Sequence, residues 1–300
     1  MQPLVSIITV TRNLIEAGRK DFFRQCVESV RMQDYPNIEH LIIDGASTDG
    51  TVELLKEMKL NYISEPDTGI HNASNKGIKI AKGKYIAFLC SDDFYICKDA
   101  VSLSVNALEK SNADFSYADC DVIDLENNKL FTAQPRWDAC FIIQPISHPT
   151  MFSKKEMLEI LGGFDESYLI AGDFDLITRA LLQGFRSVGI PQIITAFRSG
   201  GISSSSVALV REYIRVIEAN CGVSHKQAVR AVRYNFLPKK TLRSLLAKTV
   251  DFPDVAGVYK YNRKHFFKYL RKQFLTFRMR KKGKRCFRLL GITFYDEGKL

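Results

Sequence analysis

Strand-like and helix-like segments alternate about every 20 residues over the first hundred residues of the chain. Apolar residues at helical spacing over 21–32 and 69–81 separate short, apolar, β-branched runs. These runs are the predicted strands Leu4–Thr11, Ile38–Ile43, Asn61–Ser64 and Tyr85–Leu89. The alternation is typical of a parallel sheet with helices on its faces, and polar loops follow the strands where such sheets bind ligands.

The pattern changes in the second half of the chain. A hairpin is predicted over 115–123 and 129–133, a helix over 173–183 and a strand over 193–197. From about Val207 the chain is predicted to be helical and basic as far as Ile292. We therefore expect an α/β core followed by a helical C-terminal region.

Composition excludes several classes of protein. With 46% hydrophobic and 25% charged residues, the chain is neither disordered nor collagen-like nor a long coiled coil. No apolar run approaches the ~20 residues that span a bilayer, and the N-terminus lacks the features of a signal peptide. Seven cysteines without a Cys-x-x-Cys pair favour neither a disulfide framework nor a zinc site. We expect a cytoplasmic protein with reduced thiols.

The net charge of +10 is unevenly distributed. Residues 1–204 carry 20 Lys and Arg against 27 Asp and Glu, whereas residues 205–300 carry 23 against 6. This asymmetry predicts two regions with different tasks, an acidic domain over 1–204 and a basic, helical region over 205–300.

Three acidic clusters and one histidine are candidate functional residues. Asp92 and Asp93 end a hydrophobic strand, where adjacent carboxylates suit Mg²⁺ or Mn²⁺; a helix-capping pair is an equally good interpretation. Asp44 begins a turn that either connects a strand to a capped helix or contacts a nucleoside. Asp173 opens a helix, as an N-cap or as a general base. His148, in a turn beside Pro149, is more often structural than catalytic.

Six parts of the chain, taken together and in order, carry a recognisable pattern: Ser6–Asn13, Ile42–Thr51, Glu65–Ile70, Asn75–Ile78 with Ala81–Ile86, Phe88–Asp93, and Gly162–Asp165 with Asp173–Leu176. These segments resemble the inverting family 2 glycosyltransferases, in the branch that builds bacterial O-antigen, capsule and colanic acid. The resemblance implies the GT-A fold, a Rossmann-like mixed sheet flanked by helices, for residues 1–204.

The same resemblance implies roles for individual residues. Asp173 matches the catalytic base, and Asp92 matches the metal-binding Asp of the Asp-x-Asp motif. His148 lies in a segment near the donor phosphates and acceptor in relatives. The expected donor-binding residues are Thr9, Thr11, Asn13, Asp44, Asp67, Asn75, Asp92, Asp93 and Arg198. The expected donor is a nucleotide-sugar, the expected metal is Mg²⁺ or Mn²⁺, and the expected transfer is of a hexosyl or N-acetylhexosaminyl group.

Three positions depart from the family pattern. Cys90 takes the first position of the Asp-x-Asp motif, so Asp92 coordinates with less help. Gly45 replaces the second Asp of the more common Asp-Asp turn. His71 and Asn72 stand where this branch often has Tyr and Asp, which suggests a different sugar.

The C-terminal region contains a segment with the composition of a membrane-binding helix. Residues 255–295 hold 13 Lys and Arg, no acidic residue and interleaved aromatic residues. A helix over 258–280 would gather Tyr259, Phe266, Leu270, Phe274 and Phe277 on one face, which suits an anionic membrane surface. The alternative is that this face packs on the core. Nucleic acid is not expected, because no recognised binding motif is present.

We therefore expect a peripheral enzyme at the inner face of the cell membrane. The resemblance implies that it moves a sugar from a nucleotide donor to a polyprenyl-diphosphate-linked saccharide. Two alternatives remain. A sugar-phosphate nucleotidyltransferase would need a Gly-rich, basic loop after the first strand, and Thr11–Leu14 is not one. A degenerate transferase domain used as a scaffold is suggested only by Cys90.

Overall fold

The computed structural model describes residues 2–201, 206–279, 285–289 and 292–296, and the side chains among these up to residue 268 except that of residue 206. The predicted boundary between 204 and 205 lies outside the described residues. Two 3₁₀ helices, Trp137–Ala139 and His148–Thr150, lie in the chain between the strand that ends at Ala133 and the strand that begins at Phe152.

The strands, in chain order, are β1 Val5–Thr11, β2 Ile38–Asp44, β3 Asn61–Ser64, β4 Tyr85–Phe88, β5 Phe94–Tyr95, β6 Phe115–Ile123, β7 Lys129–Ala133, β8 Phe152–Lys154, β9 Ser187–Arg198, β10 Arg285–Leu289 and β11 Ile292–Asp296. The helices are α1 Lys20–Arg31, α2 Thr51–Glu57, α3 Ile70–Ile80, α4 Ala100–Ser111, α5 Lys155–Ile160, α6 Gly172–Leu182, α7 Ser206–Cys221, α8 His225–Tyr234, α9 Lys239–Leu246 and α10 Val255–Met279.

One large sheet organises the described residues, in the strand order β3-β2-β1-β4-β8-β6-β9-β5, with β7 paired to β6. Strands β3, β2, β1 and β4 run parallel, as the alternation predicts. Strand β8 is antiparallel to both β4 and β6, so the sheet is mixed. The predicted α/β fold with a mixed sheet flanked by helices and a helical C-terminal region is confirmed.

The topology places the carboxyl ends of β1, β2 and β4 at one edge of the sheet, because these strands are parallel neighbours. The loop after β4 is fixed on its far side by β5, whose Phe94 and Tyr95 pair with Ala196 and Thr195 of β9. The end of β9 is thereby brought beside the Asp92–Asp93 loop.

The C-terminal helices share a core with the sheet. Tyr213, Val216 and Ile217 of α7 are buried in the apolar cluster that also contains Ile8 and Phe88. Helix α10 contributes Val258, which is 3% exposed. The division into two regions stays a prediction, but the apolar packing is continuous across α7 to the start of α10.

The amphipathic segment of α10 is only partly described. Tyr259 packs against the core, whereas Phe266 and Phe267 are exposed. The side chains of Tyr269, Leu270, Phe274, Phe277 and Phe287 lie outside the described residues. A correction concerns residues 285–289: they form a strand paired antiparallel with β11, although no strand was expected before Ile292. Four basic residues over 281–285, together with Arg288, hide the short alternation of this strand in the sequence.

Candidate active site

Asp92 lies in the loop after β4 and pairs with Arg19, the residue that precedes α1. The Nη1 atom of Arg19 donates to its Oδ2 at 2.6 Å, and each side chain is about one-fifth exposed. Burial raises the pKa of Asp92, and the Arg19 charge opposes that rise. The positive charge of Arg19 thus favours the ionised form of this partly exposed carboxylate.

Asp93 is turned in the opposite direction, away from solvent. It is 1% exposed, its Oδ1 accepts the backbone N–H of Arg198 at 2.9 Å, and its Oδ2 has no hydrogen-bond partner. Burial, followed by the adjacent Asp92 charge, raises the pKa of Asp93 well above its usual value. Asp93 is therefore buried behind the loop, and its contact with the donor stays a prediction.

Arg198 is likewise enclosed, although the sequence predicts a donor contact. It is 1% exposed, and its guanidinium lies 3.9 Å from the centroid of the Phe22 ring. Its guanidinium donates to the backbone oxygens of Asp92 and Asp124 and to the side chains of Gln25 and Asn127 at 2.8–3.2 Å. Because four of its five N–H groups are engaged, Arg198 here fixes the Asp92 loop rather than facing a ligand.

Asp173 faces a histidine instead of capping its helix. Helix α6 begins at Gly172 without a side-chain capping bond, so the N-cap interpretation of Asp173 is wrong. Its Oδ1 lies 3.6 Å from Nδ1 of His148, and the side chain is 28% exposed. A partly exposed carboxylate at this place can reach a substrate hydroxyl and accept its proton.

Two histidines and two phenylalanines pack together behind Asp173. The ring of His148 stacks on Phe88, the ring of His71 stacks on Phe164, and the two phenylalanines meet edge to face. His71 is buried, and its Nε2 has no hydrogen-bond partner. A Cβ atom at Gly172 would lie 2.5 Å from the His71 ring, so this packing requires glycine at the start of α6.

Cys90 indicates how close the two acidic clusters are. Burial first, and then the charges of Asp93, Asp92 and Asp173, raise the pKa of its thiol well above the usual value. The carboxylates on the β4 loop and on α6 thus act on one side chain. The thiol stays protonated at neutral pH and adds no negative charge at the first position of the motif.

The predicted nucleoside side forms around Asp44, whose carboxylate is fully enclosed. It accepts hydrogen bonds from the Thr11 hydroxyl, from the Ser47 hydroxyl and backbone N–H, and from the Ser64 hydroxyl, at 2.6–3.1 Å. Asn13 is held to the same loop, since its backbone N–H donates to Ser47 Oγ at 2.7 Å. Asp44, Thr11 and Asn13 thus lie around one loop, and the Thr11 hydroxyl is bonded to Asp44. Their contact with a nucleoside stays a prediction.

Asp67 reaches the same loop from the end of β3. Its side chain is 6% exposed, lies 3.8 Å from Arg12, and accepts the Gly69 backbone N–H at 3.0 Å. A Cβ atom at position 45 would stand 2.3 Å from Asp67 Oδ2. Gly45 therefore leaves the space that the Asp67 carboxylate occupies.

Thr9 and Asn75 do not reach the cleft in this structure. Thr9 is fully buried in β1, with its hydroxyl 3.0 Å from His40 Nε2. Asn75 instead holds the Gly162–Asp165 loop, because its amide exchanges hydrogen bonds with the backbone of Phe164 at 2.8 and 2.9 Å. Gly163 has a φ of +72°, and a Cβ there would lie 2.4 Å from Asn75 Oδ1. Their contacts with the donor stay predictions.

The site's fit to a divalent cation rests on the surroundings of Asp92. No group of three His, Cys, Asp or Glu side chains that could hold a metal occurs within the described ranges. The Asp92 side chain is 21% exposed, and its Oδ2 is paired with the Arg19 guanidinium, so a metal ion would have to share or displace that pair. Mg²⁺ is commonly held by one or two carboxylates together with substrate phosphates, so Asp92 fits such a shared site.

Sequence reasoning missed two groups at the site. Arg19 was part of an unassigned loop, and its only signal is a basic residue before a helix that follows β1. Glu212 lies on α7, more than 40 residues along the chain from the backbone groups that it binds. No local pattern marks a contact between such distant segments.

Acidic residues lie at the carboxyl ends of the parallel strands, and a partly exposed Asp lies in the first turn of α6. This fold and this arrangement define an α/β protein of the class that transfers sugars from nucleotide donors. Residues 6–177 match the family described as Glycosyl transferase family 2. The chain belongs to that family.

Relatives and solved structures agree with this assignment. A protein described as an uncharacterized glycosyltransferase from Mycobacterium tuberculosis is 30% identical over 211 residues, covering 67% of this chain and 78% of its own length. The Escherichia coli UDP-Glc:alpha-D-GlcNAc-diphosphoundecaprenol beta-1,3-glucosyltransferase WfaP is 38% identical over 119 residues, covering 38% of this chain and 45% of its own.

Two solved structures share the fold. Staphylococcus aureus TarS 1–349, in complex with UDP-GlcNAc, superposes with a TM-score of 0.61 at 15% identity, covering 99% of this chain and 98% of its own. A mannosyltransferase from Pyrobaculum calidifontis, in complex with GDP-Man and Mn²⁺, superposes with a TM-score of 0.56 at 19% identity, covering 83% and 69%. Among the described residues, no helix is both long and apolar enough to cross a bilayer.

Proposed function

We propose that this glycosyltransferase moves a sugar from a nucleotide-sugar donor to a lipid-linked saccharide, with inversion at the anomeric carbon, in the assembly of bacterial surface polysaccharide. The observation that carries the proposal is the exposure of two carboxylates, Asp92 in the loop after β4 and Asp173 in the first turn of α6, whose side chains are 21% and 28% exposed. The other predicted acidic residues are enclosed by protein groups, so these two remain for chemistry.

The proposed reaction is a single displacement. An acceptor hydroxyl forms a bond to the anomeric carbon from the face opposite the nucleotide, and the bond from that carbon to the diphosphate oxygen breaks. Asp173 takes the hydroxyl proton, and the nucleoside diphosphate leaves with the electron pair. Because attack and departure occur on opposite faces, the configuration inverts.

A bound Mg²⁺ or Mn²⁺ would offset the negative charge that builds up on the leaving diphosphate. Asp92 would hold it, and Arg19 is the neighbouring positive side chain. His148 lies beside Asp173 and orients its carboxylate. Thr11, Asn13, Asp44 and Asp67 would order the nucleoside side, while Thr9, Asn75, Asp93 and Arg198 support the loops from behind.

The proposed substrates draw on the proteins that this chain resembles. A nucleotide-sugar is bound in the two solved structures, one of them with Mn²⁺. The Escherichia coli relative is named for a diphosphoundecaprenol-linked GlcNAc acceptor, which supports an acceptor of that kind here. Membership in family 2 leaves the nucleotidyltransferase alternative without support, and turnover of the donor separates an enzyme from a scaffold.

The test is release of nucleoside diphosphate from UDP-glucose, UDP-GlcNAc or GDP-mannose, with Mn²⁺ and a GlcNAc-diphospholipid acceptor. Asp173→Asn and Asp92→Asn are each expected to lower kcat by about a hundredfold or more, since each removes a carboxylate from the reaction. Asp21→Asn serves as the control, because that side chain is 91% exposed on α1. Full transfer by both site variants would contradict the proposal.

Reversible membrane attachment through residues 255–295 is part of the same proposal and would place the enzyme at the inner face of the cell membrane. Exposed Phe266 and Phe267 lie beside exposed Lys264 and Lys268, which suits an anionic surface. The double variant Lys264→Glu with Lys268→Glu is expected to lose sedimentation with phosphatidylglycerol vesicles. The charge-matched control is Lys79→Glu with Lys82→Glu, on the acidic domain. Equal sedimentation of both variants would contradict the attachment.

A further inference from the structure

Helix α7 carries a carboxylate, that of Glu212, which accepts hydrogen bonds from three consecutive backbone amides. Oε1 of Glu212 accepts the N–H of Leu169, and Oε2 accepts the N–H groups of Ile170 and Ala171, each at 2.8 Å. Glu212 is 8% exposed. Consecutive N–H groups that converge in this way form an anion-binding concavity, and here the protein fills it with its own side chain.

The three amides belong to the segment that leads directly into the proposed base. Ala171 is the last residue before α6, and Asp173 is the second residue of that helix. Without Glu212, three N–H groups beside the core would lose their acceptor, and such groups are costly to leave unpaired. The entry of the chain into α6 therefore depends on Glu212.

The carboxylate is ionised at neutral pH. Burial alone would raise the pKa of Glu212, but the three backbone hydrogen bonds and nearby Arg215 hold it below its usual value. A negative charge at this end of α6 is also favoured by the helix dipole.

Other contacts of α7 hold the same helix on either side of the bound segment. Asn220 donates to Asp175 at 2.8 Å, and the ring of Tyr213 meets that of Phe174 with centroids 4.8 Å apart. Arg215 donates to the Ser167 backbone oxygen at 3.2 Å. Asp173 lies between these contacts, on a helix that is held by α7, and α7 is outside the segment that matches the family.

We propose that Glu212 is a positioning residue for Asp173, acting through the backbone of residues 169–171. This inference rests on the proposed function, in which Asp173 is the base. Since a displacement of about 1 Å in a reacting group can cost a hundredfold in rate, a looser entry to α6 lowers turnover without removing any reacting atom. The donor site after β1, β2 and β4 is built from other segments and keeps its affinity.

The test compares Glu212→Gln with Glu218→Gln in the full chain. Gln keeps the shape of Glu but has one acceptor oxygen, so its amide group opposes at least one backbone N–H. Glu218 lies on the same helix and pairs with exposed His225, away from α6, so it is the matched control. With UDP-glucose, UDP-GlcNAc or GDP-mannose and Mn²⁺, kcat is expected to fall about tenfold in Glu212→Gln. The KM for the donor stays within about twofold of the control.

Hydrogen exchange supplies a second measurement, on peptides that cover residues 165–175. Faster exchange is expected there in Glu212→Gln and not in Glu218→Gln. Glu212→Asp, which keeps the charge on a shorter side chain, is expected to lose less kcat and serves if the Gln variant does not fold.

Three results would overturn the inference. If kcat equals that of the control while Asp173→Asn is inactive, Glu212 does not position the base and the proposed function stands. If kcat falls and the donor KM rises together, Glu212 maintains the whole site. If Asp173→Asn keeps full transfer, the proposed base is wrong, and the positioning role falls with it.

Discussion

Nδ1 of His148 lies 3.6 Å from Oδ1 of Asp173, while the imidazole ring stacks on Phe88. One face of the histidine is thus fixed by an aromatic ring from the end of β4, and its nitrogen is directed at the proposed base. The β4 strand therefore contributes to both halves of the site, through the Asp92 loop and through the support of His148.

The first prediction separates these two contacts of His148. In His148→Phe the aromatic stack is kept and the nitrogen beside Asp173 is removed. We expect kcat to fall about tenfold or more because the carboxylate loses an orienting partner, with little change in the donor KM. His225→Phe is the control, since His225 is 73% exposed on α8. An unchanged kcat in steady-state kinetics would show that the 3.6 Å contact is not used.

The second prediction concerns Arg198. Lys cannot reproduce the four hydrogen bonds of the enclosed guanidinium or its stacking on Phe22, so Arg198→Lys should lower the free energy of unfolding by about 3 kcal/mol. Urea unfolding measures this value. Arg186→Lys is the control, because Arg186 forms an exposed pair with Asp251 and should change stability by less than about 0.5 kcal/mol.

A different outcome for Arg198→Lys would favour the expectation from the sequence. If the variant unfolds like the unaltered chain but binds the donor more weakly, Arg198 contacts the donor directly. The loop would then have to open from the arrangement in this structure.

Much of the sheet could be predicted because its strands are short, apolar and bounded by polar turns. The hairpin over 115–123 and 129–133 has the predicted bounds. Strand β9 was predicted to begin at Ile193 but begins at Ser187. Pro191 lacks a backbone donor, and the register with β6 skips from Ile190 to Ile193, so the strand continues across an irregularity that its sequence conceals.

The acidic residues of the site could be predicted only as a group. Asp44, Asp92 and Asp173 stand at the ends of predicted elements, and polar residues there are brought to one edge of a parallel sheet. Which of them stays accessible depends on distant side chains. Asp44 is enclosed by Ser64, and Asp173 is directed by His148, and neither pairing has a local signature.

The third prediction tests the fit between Gly45 and Asp67. A methyl group at position 45 would stand 2.3 Å from Asp67 Oδ2, so Gly45→Ala must displace that carboxylate from the Gly69 backbone N–H. We expect a loss of about 1–3 kcal/mol in the free energy of unfolding and weaker binding of the nucleoside diphosphate. Gly201→Ala is the control, since a Cβ there meets nothing within 4 Å. If both variants bind UDP or GDP equally in calorimetry, Asp67 does not shape the nucleoside side.

The fourth prediction concerns the dependence of stability on pH. Burial lowers the pKa of His71 below 6.5, with nearby Asp173 opposing the shift, and burial lowers the pKa of His40 to about 4. Below pH 6.5 the unfolded chain binds protons that the folded protein excludes, so the free energy of unfolding falls as the pH decreases. His71→Gln removes one of these groups. The loss of stability between pH 7.5 and 5.5, measured by urea unfolding, should therefore be smaller in His71→Gln than in the unaltered chain. Equal losses of stability in the two proteins would mean that His71 is protonated as readily in the folded protein as in the unfolded chain. Only a histidine whose pKa is lower in the folded protein makes the free energy of unfolding fall as the pH decreases.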